Sequence, residues 1–166
     1  MIHTNFANEC LKLALAKVDE LSGTGLCYLG LSATEPDEEG NRAISADGSN
    51  FAEPDSETYP SYERIQLSVT EALQYTDVWG AVANGMVSNT KEFTSRECRE
   101  ADGWPECYHF GIFTSKTGGV PIASGALRDP DGTPDETTGL LPEKSLKVEQ
   151  NRVAVFRAGV LQLTFR

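Results

Sequence analysis

A chain of 166 residues, 39% hydrophobic and 23% charged, is long enough to bury an ordinary core and too apolar for a disordered segment. Its formal charge of −11 argues against direct binding to nucleic acid, because contact with a phosphate backbone needs clustered Lys and Arg. No stretch has the apolar length of a membrane span, and the first residues lack the charged start and apolar middle of a signal peptide, so the expectation is a single domain over residues 1–166, made in a cytosol.

The first predicted element is an amphipathic helix over residues 4–22. Thr4 or Asn5 can cap it, and Ala7, Leu11, Ala14, Val18 and Leu21 recur at three- and four-residue steps, with Phe6, Cys10 and Leu13 widening the stripe. Lys12, Lys17, Asp19 and Glu20 take the other side, and Gly23 is placed to end the helix. One face of it is built to pack on something, most simply the sheet that follows.

From residue 25 onward the period is two. Residues 25–32, GLCYLGLS, are apolar on both faces, as a central strand is. In ERIQLSVT, residues 63–70, Ile65, Leu67 and Val69 point inward by alternation, with Arg64, Gln66 and Ser68 outward. Residues 75–89, YTDVWGAVANGMVSN, have no settled period. EFTSREC, residues 92–98, is a shorter and more polar candidate strand. Residues 107–128 then supply two strands around Thr117-Gly118-Gly119, whose glycines give the turn its backbone freedom. Residues 145–166 supply three more short ones, broken near Gln150-Asn151 and Ala158-Gly159, with Leu161, Leu163 and Phe165 on one face of the last. Many short strands between turn signals predict a mainly β fold over about 25–166, an antiparallel sandwich or barrel-like domain. Two long loops, residues 33–60 and 128–142, are acidic and rich in turn residues.

The residues offer little chemistry. Of two histidines, His3 lies at the terminus and His109 sits mid-strand between Tyr108 and Phe110, which is the place of a structural histidine rather than a base. No phosphate-loop, nucleophile-elbow or zinc-protease pattern is present. Glu35, Asp37, Glu38 and Glu39 lie in solvated acidic sequence, not at apolar strand ends where a carboxyl would be tuned for acid catalysis. Asp129 to Glu136, DPDGTPDE, alternate carboxylates as oxygen-liganded loops do, but lack the spacing of a calcium loop and read as a Pro/Asp/Gly turn. Trp79, Trp104, Tyr59 and Tyr62 are candidates for an exposed aromatic platform of the kind that binds sugars or single-stranded nucleic acid, against the alternative that Tyr59 and Tyr62, which flank a proline, pin a long loop. Cys98 and Cys107 flank a turn-rich stretch and allow a disulfide, against the alternative of buried thiols in a reducing compartment. The expectation is no catalytic site, no cofactor and no metal.

The order of the pieces carries a resemblance. Tyr28 and Leu31 lie in a strand that ends in a turn at Pro36. Then come Glu53-Pro54 and a Tyr-x-Arg strand at Tyr62 and Arg64. Phe110 to Phe113 enter a Thr-Gly-Gly hairpin at Thr117 to Gly119, and Ala158-Gly159 leads into a last alternating strand. This series resembles a group of small tailed-bacteriophage virion structural proteins, often labelled tail fiber proteins. The resemblance implies a virion protein assembled in the host cytoplasm, with a structural role and no enzyme activity. Its implied partners are other virion proteins, either the major capsid protein or tail and collar subunits, with many copies or a homo-oligomer in each particle. Capsid decoration or cement is the favoured role, since no repeat or shaft-like segment of a fibre is present. The alternatives are a tail, collar or tail-fiber-associated component, or a carbohydrate- or receptor-binding module. Residues 94–107, TSRECREADGWPEC, depart from the pattern, which has a shorter link there.

Overall fold

A computed structural model describes residues 27–35, 44–46, 48–67, 78–84 and 86–164. In chain order the strands are β1 (Tyr28–Ser32), β2 (Ile65–Gln66), β3 (Met86–Ser88), β4 (Phe93–Thr94), β5 (His109–Phe113), β6 (Pro121–Ala126), β7 (Val155–Phe156) and β8 (Gln162–Thr164). One sheet has the order β2-β1-β5-β6, and two ribbons pair β3 with β8 and β4 with β7. Every pairing is antiparallel. The chain is therefore mainly β, and among the described residues the sheets do not close into a barrel and no helix occurs. The predicted helix over 4–22 lies outside the described residues, as do His3, Pro36, Asp37, Glu38, Glu39, Val69 and Phe165.

The apolar runs at 28–32 and 109–113 become the two interior strands of the four-stranded sheet, as continuous hydrophobic strands should. Their register pairs Leu29 with Ile112 and Leu31 with Phe110, which puts all four on one face. There they join Ile65, Leu67, Val87, Phe156, Leu161 and Leu163 in the main core cluster. Full burial of such a side chain contributes about 1.5–3 kcal/mol, so this face supplies much of the stability.

The other face is covered differently. Gly30 and Gly111 pair directly across β1 and β5 and leave a channel between Tyr28–Phe113 and Ser32–His109. Ile44, Phe51 and Phe113 form a second, small cluster over it, with the Phe51 and Phe113 rings edge to face at 5.1 Å. A Cβ on Gly111 would lie 2.6 Å from Ile44 Cδ1, and one on Gly30 would lie 2.6 Å from Glu53 Oε1. The two glycines are there because the covering segment comes that close.

β5 and β6 form the expected hairpin, with Gly118 at φ 59° and Gly119 at φ 78° in its turn. The ambiguous 75–89 segment contains a tight reversal in which Ala83 and Met86 exchange backbone hydrogen bonds, and β3 follows. The breaks near Asn151 and Gly159 are confirmed by left-handed φ values of 60° and 86°. Of the three strands expected over 145–166, only β7 and β8 form. The first is a single bridge from Leu146 to Cys107, since Lys147 onward turns away to meet the 100–104 region.

Candidate functional site

Arg64 stands one residue before β2, on the face opposite Ile65. Alternation places it outward, yet its side chain is only 9% exposed. The correction has a simple cause: Ile44, Phe51 and Glu53 cover that face. Arg64 Nε donates to both Glu53 carboxylate oxygens at 3.0 Å, and Nη2 donates to Oε2 at 2.6 Å. Its Nη1 donates to the carbonyls of Ser115 at 3.0 Å and Gly118 at 2.5 Å, in the β5–β6 turn. The guanidinium carbon lies 3.5 Å from the centre of the Phe113 ring. Tyr62 completes the cluster, donating its hydroxyl hydrogen to Glu53 Oε1 at 2.9 Å and accepting the Leu31 N–H at 2.8 Å. Burial, then the Glu53 charge, push the Tyr62 hydroxyl well above its ordinary pKa, so it stays a donor.

A second polar cluster adjoins the first through the Tyr62 and Trp104 rings, edge to face at 5.3 Å. Glu100 is its centre. Its carboxylate accepts from Ser61 N at 2.8 Å, from Ser61 Oγ, from Trp104 Nε1 at 3.1 Å, from Arg99 N at 3.2 Å and from Cys98 Sγ at 3.4 Å. Burial works against the charge on Glu100, but the Ser61 hydroxyl and amide outweigh it and hold the carboxyl down at about 2. Glu63, two positions after Ser61, pairs with Arg96 at 2.5 Å and Lys116 at 2.6 Å. Glu100 is ringed by donors that favour its ionised form, and Glu53 and Glu63 are each engaged by cationic side chains. In the fold these carboxylates join segments remote in sequence.

The other sequence candidates fall elsewhere. His109 opens β5 and pairs with Ser32 and Ala126 on its two neighbours. Cys98 and Cys107 are buried reduced thiols rather than a disulfide. Burial raises both, Cys107 to about 12, which keeps it protonated and unreactive. Glu35 is exposed. In the 128–142 loop, Asp129 accepts from Lys144 Nζ and Asp131 N, and Asp135 accepts from Thr137 and Thr138. Among the described residues, no three His, Cys, Asp or Glu side chains gather where they would hold a metal ion. The aromatic platform is not formed: Trp79 and Trp104 are each 2% exposed, and Tyr59 and Tyr62 pack on the main core. Their rings go inward because the core, not a ligand, covers them.

Reasoning from the sequence missed Glu100, Ser61 and the buried Asn89. Asn89 Oδ1 accepts the Leu161 N–H, and its Nδ2 donates to the carbonyls of Lys91 and Arg157. No local pattern marks any of the three, because the bonds that tie them into the fold, Ser61 with Glu100 and Asn89 with Arg157 and Leu161, run to residues distant in the chain. No family model matches this sequence, and no curated protein matches it.

Proposed function

We propose that this chain is a non-enzymatic structural protein of a tailed-bacteriophage virion, a β-sandwich domain that decorates or cements the capsid by fitting neighbouring subunits. One observation carries the reading. Glu53, Tyr62 and Arg64, which the resemblance treats as separate strand and turn features, come together with the Thr117–Gly119 turn in one hydrogen-bonded cluster. Motif residues that meet in space and spend their polar groups on one another and on nearby backbone support a scaffold rather than a reaction centre. The engaged carboxylates of Glu53 and Glu100 fit the same reading.

The test is localisation on purified particles. A gold-labelled antibody against this chain, or difference density in particle images, should fall on the head lattice in many copies. Label on the tail or collar would replace decoration by a tail role. Absence of the chain from particles of the phage that encodes it would end the virion reading.

A further inference from the structure

Among the described residues, the β4–β7 ribbon has an unpaired edge. β7 bonds to β4 on one side only. Ser95 N–H donates to Ala154 O at 3.0 Å and Ala154 N–H donates to Ser95 Oγ at 2.8 Å, so Ala154 directs its backbone toward the 93–98 segment. Antiparallel alternation then turns the N–H and C=O groups of Val153 and Val155 the other way, away from β4. Both valine side chains are well exposed, Val153 at 42% and Val155 at 48%. Val155 also walls an open groove of about 440 Å³ whose apolar lining includes Leu127, Leu146, Phe156 and Val160. An apolar edge strand without a partner is a template for another strand.

Charge selects the occupant. Exposed Arg152 and Arg157 stand at the two ends of the edge, and Arg157 makes one long pair, 3.8 Å to the exposed Asp131. A second copy of this chain is disfavoured. The two-fold register that uses both valines sets Val153 against Val155 and brings each Arg157 within one position of the other copy's Arg152. We infer that the β7 edge accepts an extended segment of another polypeptide by strand addition, with apolar residues opposite Val153 and Val155 and carboxylates opposite Arg152 and Arg157. This stands apart from the virion reading, which particle localisation tests separately.

The probe is a capped peptide, Glu-Ser-Val-Ser-Val-Glu, titrated to millimolar concentration into the isotopically labelled full chain, with Lys-Ser-Val-Ser-Val-Lys as its control. Saturable amide shifts should fall on residues 152–157 and on Leu127 and Leu146, with the Glu-ended peptide several-fold tighter. Val155→Pro removes only an outward N–H, and should abolish binding of both peptides while leaving the thermal midpoint nearly unchanged. The R152E/R157E variant keeps the edge and should invert the order of the two peptides. No saturable shift at the edge, or equal binding of the two peptides, overturns the inference. So does strong exchange protection of the Val153 and Val155 amides in the free dilute chain, which would mean that the chain's own residues fill the edge. A concentration-dependent dimer that Val155→Pro dissolves would assign the edge to a second copy instead.

Discussion

The two acidic loops look alike as sequence and behave differently as structure. Residues 48–64 reach across the molecule: Tyr62 holds Leu31, Ser61 holds Glu100, and the Glu53–Arg64 pair holds the carbonyls of Ser115 and Gly118. Residues 128–142 mostly hold themselves, with Asp135 bonded to Thr137 and Thr138 two and three positions on. The longer links of that loop are the Leu141 N–H to Gln162 Oε1, the exposed Asp129–Lys144 and Asp131–Arg157 pairs, and the buried Leu140. The same residue types thus serve as a lid on one sheet face in the first loop and as local turn chemistry in the second. What a carboxylate contributes depends on how far away its partners lie.

The sharpest way to break that comparison is Arg64→Met. Arg64 and Glu53 are 9% and 23% exposed, so removing one partner strands a largely desolvated charge. The expected loss is about 3–5 kcal/mol of unfolding free energy, read from urea denaturation. A loss under about 1 kcal/mol, the level of a surface pair, would put the two loops on an equal footing. Arg64→Lys should recover little, because lysine cannot span Glu53, Ser115 and Gly118 at once.

Gly30→Ala tests the closeness of the same lid from below. The added methyl would lie 2.6 Å from Glu53 Oε1 and 3.1 Å from the Phe51 ring, so the Glu53 carboxylate must shift from its place against Arg64 and Tyr62. The expected cost is about 1–3 kcal/mol. Combined with Arg64→Met it should cost less than the sum, since both changes release Glu53. Strict additivity would mean that the glycine serves the strand alone.

The parts of the fold that could be read in advance are those whose causes are local. Alternation and a Gly-Gly turn place β5 and β6, and unbroken apolar sequence places β1 at the centre of its sheet. Alternation also puts Arg64 on the correct face, but it says nothing about what covers that face, and the cover comes from Ile44, Phe51 and Glu53. Trp104 reads as a free ring until Ser61, 43 positions earlier, is found at its Nε1. Asn89 lies in sequence without a period because its bonds run to Arg157 and Leu161, 68 and 72 positions on. Each misreading traces to a contact of high sequence separation, which composition and spacing do not encode.

The pH dependence sharpens the comparison further. Glu100 is held at about 2 against an ordinary 4.5. Its folded state therefore binds a proton less readily than the unfolded chain, and the stability it contributes is fully present above 4.5. That contribution fades as pH falls from 4.5 toward 2. Glu100→Gln should lower stability at neutral pH and flatten the acid limb of the stability profile over that window. An unchanged acid limb would mean that Ser61 and Trp104 hold the carboxyl no better than water does.

The smallest effect belongs to the second loop. Asp135 is exposed, and its hydrogen bonds from Thr137 and Thr138 lower its pKa without any burial to amplify them. Asp135→Ala should shift the thermal midpoint least of these variants, as the loss of an exposed turn hydrogen bond does, and should leave the amide spectrum outside residues 128–142 in place. The contrast with Arg64→Met is one of reach as well as size: spectral changes in the Arg64 variant should extend to the 114–120 turn and to β1. If Asp135→Ala instead disturbed β8 through Leu141 and Gln162, the second loop would also be a lid, and the difference between the two loops would be one of degree.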